Sequence, residues 1–213
     1  MVGSKERKVA EAAGMASKNG LVGTLEALRD RFGGVFDIDI VLGYEFADFF
    51  DFCQYLGYFG YNAEGFAGKL QSPIELVWHH VGNCWDQTEL QREWFERHGY
   101  DVRTYLLYYY LTDDCCPSHS ILVYQDGDAW CWFEPMFCGT KVEYSGVHRY
   151  ASEEELLRDV RRVFALNGQR TGMLPKKLED ERWALYEYTR PEYGISDEEF
   201  YDHCRTGRKC SFD

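Results

Sequence analysis

The chain reads as an α+β domain in which an antiparallel β-sheet packs against a central helix, and three observations predict this. Ser-x-x-Glu capping boxes mark three helix starts, at Ser72 with Glu75, Ser152 with Glu155 and Ser196 with Glu199, the first reinforced by Pro73 at the first helical position. Between the first two boxes a helical run from about Cys84 to His98 is stopped by Gly99. Strands near 102–111, 119–125 and 129–134 follow it, and a helix followed by a meander is the pattern of an α+β core.

Taken in order, residues 1–24 are rich in Ala, Gly, Ser and Lys with little apolar periodicity, so they read as a mobile arm or partly helical leader. Residues 25–213 are expected to form one domain. The run from Gly43 to about Gly60 is apolar at helical spacings and predicts a buried helix, with Cys53 as a small core residue. His79 and His80 end the short helix opened by Ser72. In the next helix Asp86, Glu89, Glu93 and Glu96 recur three and four apart and predict one solvated face. Cys84 points almost opposite it, with Thr88, Gln91 and Phe95, so the thiol faces the body of the protein.

HSILVYQ and AWCWFE flank Asp126-Gly127, a strong signal for a two-residue hairpin turn. A turn centred there pairs Gln125 with Asp128, and the same register sets Tyr124 against Ala129, Leu122 against Cys131 and His119 against Glu134. Downstream, Leu156, Val160, Val163 and Phe164 give a helix over 153–166 an apolar stripe for the sheet. The RTGRKC tail, with Arg205, Arg208 and Lys209, reads as a solvated end.

A formal net charge of -13 repels phosphate backbones and argues against nucleic acid as a partner. No stretch resembles a membrane span and no apolar region follows the basic N-terminus, so a cytoplasmic setting without membrane attachment is expected, with the eight cysteines reduced. Aromatic residues make up 17% of the chain, enough apolar area for a core. Trp78, Trp85 and Trp132 are read as core or cleft walls.

The chemistry-bearing residues are Cys84, His119 and Glu134. Cys84 follows Gly82-Asn83 at a helix start, where free N–H groups and the helix dipole favour a thiolate and can hold an oxyanion. Imidazole and carboxylate on paired strands supply a general base and the group that orients it, which is the arrangement of thiol acyl-transfer enzymes. Cys115-Cys116, Cys131, Cys138 and His148 could suggest zinc, but the chain has no C-x-x-C pair, and neither a metal nor a cofactor is expected. Cys115 and Cys116 are read as loop packing beside the site.

The stretch from about Ser72 to Pro135 resembles the transglutaminase-like superfamily, a papain-related group. SPIELVWHHVGNCWDQTEL is similar to its Gly-x-Cys nucleophile helix, and CPSHSILVY with WCWFEP to its histidine and acid strands. The family usually carries Asp at the acid position and often Gly-His-Ala/Ser-Trp at the histidine, where this chain has Glu134 and Ser118-His119-Ser120. The resemblance implies Cys84 as nucleophile, His119 as general base and acid, and Glu134 as orienter. It implies acyl transfer on an amide of a peptide or protein substrate, with hydrolysis placed ahead of transamidation. Two alternatives are a binding or assembly module on the same fold, and an acetyltransferase using a thioester donor.

Overall fold

The computed structural model describes residues 60–61, 65–79, 81–112, 115–134 and 146–212. The expected leader at 1–24, the helix over 43–60 with Cys53, and His80 and Cys138 lie outside the described residues. Two two-residue strands, β1 (Gly60–Tyr61) and β2 (Val81–Gly82), pair in parallel around helix α1 (Pro73–His79). Helix α2 (Cys84–Arg97) follows, then strands β3 (Val102–Tyr109), β4 (Ser118–Asp126), β5 (Ala129–Glu134) and β6 (Gly146–Tyr150). Helix α3 (Glu153–Thr171), β7 (Trp183–Tyr188), α4 (Asp197–Arg205) and β8 (Arg208–Cys210) complete the chain. No helix among the described residues is long and apolar enough to cross a membrane.

The sheet is antiparallel with strand order β6-β5-β4-β3-β7-β8. Its central strand β3, VRTYLLYY, is buried from Thr104 onward, as a strand covered on both faces must be. Alternate side chains serve two cores. On one face Tyr105, Leu107, Tyr109, Ile121, Val123 and Trp132 meet the α3 stripe of Leu156, Val160, Val163 and Phe164. On the other, Leu106, Tyr108 and Tyr188 meet Cys84 and Trp85 of α2 and Phe200 and Cys204 of α4. The sheet is therefore sandwiched between helices, and α2 and α3 lie on opposite faces.

Two of the three capping boxes form in full: the Ser72 hydroxyl and amide donate to Glu75 at 2.7 and 2.8 Å, and Ser196 and Glu199 satisfy each other reciprocally. At the third, Ser152 accepts from the Glu155 amide at 3.2 Å, but the Glu155 carboxylate accepts from the Ala151 amide at 3.3 Å, so the N-cap forms without the reciprocal half. α3 runs five residues beyond the expected 166 and ends at Gly172, whose φ of 79° closes the helix in the left-handed region. Arg205, Arg208 and Lys209 of the tail are exposed, as a solvated end implies, but the segment is also ordered against the sheet. Residues 208–210 form β8 against β7, Arg208 pairs with Glu187, and Arg205 lies over the Tyr108 and Tyr201 rings.

Two corrections concern α2 and the hairpin. Asp86 and Glu89 do not share a solvated face with Glu93 and Glu96, because they are only 1% and 0% exposed. Asp86 is taken inward by capping duty and accepts from the Gln71 amide at 2.8 Å, whereas Glu89 is held by Arg92 at 2.9 Å. Periodicity separates faces but does not say how deep a helix sits.

In the hairpin, Asp126 pairs with Ala129, Gln125 with Trp130, Tyr124 with Cys131 and Val123 with Trp132. The turn is thus Gly127-Asp128, one residue later than expected. Gly127 takes the positive φ, 61°, at the first central position, as a type II′ turn requires, while Asp128 needs none. His119 is therefore not directly opposite Glu134. The register moves by two, and an even shift preserves every side chain's face, so the pair still shares one side of the sheet.

Candidate active site

The Cys84 segment is fixed by a buried polar clamp. Asp86 accepts from the Asn83 amide at 3.0 Å and from Gln71 Nε2 at 3.0 Å, and Gln71 Oε1 sits 2.6 Å from His79 Nδ1. The His79 ring stacks on Phe66 at 3.8 Å. Burial raises the Asp86 carboxyl above its usual range, against the pull of the Asn83 and Gln71 hydrogen bonds. A Cβ at Gly82 would lie 2.6 Å from Leu76 Cδ1 and 2.7 Å from Asp86 Oδ2, so only glycine lets the chain pass this close.

The same clamp decides which helix N–H groups stay available. Asn83 Oδ1 accepts from the Trp85 amide at 2.9 Å and the Asp86 amide at 3.2 Å, and the Gln87 amide donates to the Asn83 carbonyl at 3.1 Å. Among the described residues the Cys84 N–H is the first-turn donor without a partner. The expectation that several backbone N–H groups face an oxyanion is thereby corrected to one, that of Cys84 itself.

His119 and Glu134 stand on the α3 face, where the imidazole lies parallel to the Phe164 ring at 5.8 Å. Cys84 belongs to the opposite core. They meet because the β4–β5 ladder stops at Val123 and Trp132. Beyond that point β4 stays with β3 as far as Ser118, and β5 stays with β6 as far as Glu134. The strands part at this end of the sheet, and Cys84, His119, Ser120, Ile121, Phe133 and Glu134 line the opening together. His119 Nε2 is 2.9 Å from Glu134 Oε2 across it, a diagonal contact that long side chains can span.

Cys84 lies near enough to influence the same ring, whose Nε2 is engaged by Glu134. Burial alone would lower the His119 pKa, but the Glu134 charge and the hydrogen bonding of the protonated ring to Cys84 and Glu134 overcome it and push the ring up to about 10. The imidazolium is thus the resting form at neutral pH. A folded value above the ordinary 6.5 adds stability that is complete below about pH 6.5 and is lost as pH rises through about 10. Urea midpoints should fall across that window in the parent chain, and His119→Gln should flatten the decline. An equally steep decline in the variant would contradict the ion pair.

Other groups gather here that sequence reasoning passed over. Tyr201 of α4 donates to Ser118 Oγ at 2.6 Å, beside His119, and stands edge-on to Trp85 at 5.0 Å, beside Cys84. Burial pushes its hydroxyl up to about 12, and the Cys84 charge adds to the rise. Ser120 Oγ is 2.6 Å from the Tyr188 hydroxyl, within a buried network of Glu89, Arg92 and Thr104. Gln87, like Gln91, lines the opening, one helical turn below Cys84. The capping box marks the start of α4, but nothing in the sequence says it packs on the site.

The remaining candidates are dispersed. His148 stacks on Trp132 at 4.6 Å in β6, Cys131 is buried in β5, and Cys115 is exposed in the loop before β4. No protein-family model and no curated protein matches this chain.

Proposed function

We propose that the chain is a transglutaminase-like, papain-related domain that transfers an acyl group through Cys84, acting on an amide of a peptide or protein. The observation that carries the reading is the opening between β4 and β5, where a thiol at a helix start and a histidine from the opposite face of the sheet share one cavity, with the acid 2.9 Å from the ring. Sulfur attacks the amide carbon and its proton stays with His119. The tetrahedral oxyanion takes the Cys84 N–H. Collapse breaks the C–N bond, and His119 returns the proton to the departing amine. Water or a second amine then cleaves the thioester and regenerates the thiol.

The closed state of the cavity, about 10 Å³ with Cys84 only 7% exposed, favours a second reading, a binding module that keeps the site without turnover. The two are separated by incubating the chain with a mixture of unfolded protein substrates and a fluorescent primary amine. Peptide products without label mean hydrolysis, and labelled protein means transamidation. The enzyme reading expects one of these in the parent chain and neither in Cys84→Ala; no product under either condition supports the binding module.

A further inference from the structure

Among the described residues five buried side-chain polar atoms have no hydrogen-bond partner, and three of them, Gln87 Nε2, Gln91 Oε1 and Trp132 Nε1, belong to residues that line the cavity beside Cys84, His119 and Glu134. Their residues are 2%, 3% and 1% exposed, so bulk solvent does not satisfy them. Two are donors and one is an acceptor. Leaving such groups unpaired costs about 1–3 kcal/mol each, and because all three residues line one cavity, what fills that cavity is the natural partner for them.

The cavity measures about 10 Å³, close to the volume that admits one water. The donor and acceptor count selects the occupant. It must accept from the Gln87 amide and the Trp132 indole and donate to the Gln91 carbonyl. A cation could not accept, and an anion could not donate. Water does both, and its second proton can go to Glu134, of which His119 engages Oε2.

We infer that Gln87, Gln91 and Trp132 form a binding site for a single internal water, held between α2 and the sheet behind the Cys84–His119–Glu134 set. Helix geometry fits this assignment. Residues 84, 87, 88 and 91 fall on one face, and their side chains lean toward the helix N-terminus and the opening. The inference concerns occupancy of the cavity and stands whether or not the thiol is reactive.

The test is water–protein cross-relaxation in solution on the full chain, with the Gln87 side-chain amide and the Trp132 indole proton resolved by isotope labelling. Both should show cross-peaks to a long-lived water. In Gln87→Leu the Trp132 cross-peak should disappear although Trp132 is untouched, because one molecule serves both, and Gln91→Leu should have the same remote effect. The inference is overturned if neither proton of the parent chain contacts a long-lived water. It is also overturned if the Trp132 cross-peak persists unchanged in both variants, which would mean separate hydration. Should a variant fail to fold, the parent spectrum alone decides. No turnover is read, so failure here leaves the acyl-transfer reading untouched, and the reverse also holds.

Discussion

At about pH 6, limiting iodoacetamide is expected to label Cys84 at least about tenfold ahead of the chain's other cysteines. The reason is the imidazolium beside the sulfur. With the His119 pKa pushed up to about 10, the ring carries its positive charge through the whole acidic and neutral range and stabilises the anion through which a thiol reacts. At the other buried thiols the cationic neighbours, Arg149 at Cys131 and Arg92 with Arg205 at Cys204, are outweighed by burial. Burial pushes the Cys131 and Cys204 thiols up, so they are slow at the same pH. Cys115 is the exposed control.

His119→Ala should abolish the advantage of Cys84, and Glu134→Gln should reduce it while the fold stays intact, since the amide still accepts a hydrogen bond but no longer supplies charge. Peptide mapping after a short pulse reads all sites at once. Faster labelling of Cys115 in the folded chain, or an unchanged Cys84 rate in His119→Ala, would reduce the arrangement to a matter of fold.

The largest stability effect is expected at the buried ion pair of α2. Arg92 donates through Nε to Glu89 at 2.9 Å and through a second nitrogen to Thr104 Oγ1 at 2.5 Å, while Tyr188 approaches Glu89 at 3.4 Å. Burial pushes the Glu89 carboxyl up despite Arg92, so the carboxylate depends on its partner to remain charged. Arg92→Leu leaves it in an apolar interior and should cost about 3–5 kcal/mol in urea unfolding at neutral pH. At lower pH Glu89 protonates, so the deficit should shrink. A pH-independent loss, or a cost below about 1 kcal/mol, would show that the pair is not what holds α2 to β3 and β7.

How far the sequence could be read follows the range of each signal. Capping boxes and the Gly99 stop are local, and the helices begin or end at them. The hairpin is local too, yet its register moved by two because Gly127 supplies a positive φ at either central position, and composition does not say which. The face of His119 and Glu134 survived because side chains alternate with a period of two. What could not be read is the third dimension. The burial of Asp86 and Glu89, the approach of Tyr201 and the parting of β4 from β5 come from contacts between segments far apart in the chain, and no spacing encodes them. The parting matters most, because in an unbroken sheet the thiol and the imidazole would stay on opposite faces.

The central claim is that Cys84, His119 and Glu134 act as one unit on an acyl group, and the most direct measurement is intact-mass analysis of acid-quenched samples taken soon after mixing with an activated acetyl ester. A single acetyl adduct is expected that maps to Cys84, decays as the thioester is resolved, and forms much more slowly in His119→Ala. An acetyl group found on another residue, or one that reaches Cys84 at the same rate without His119, would contradict it.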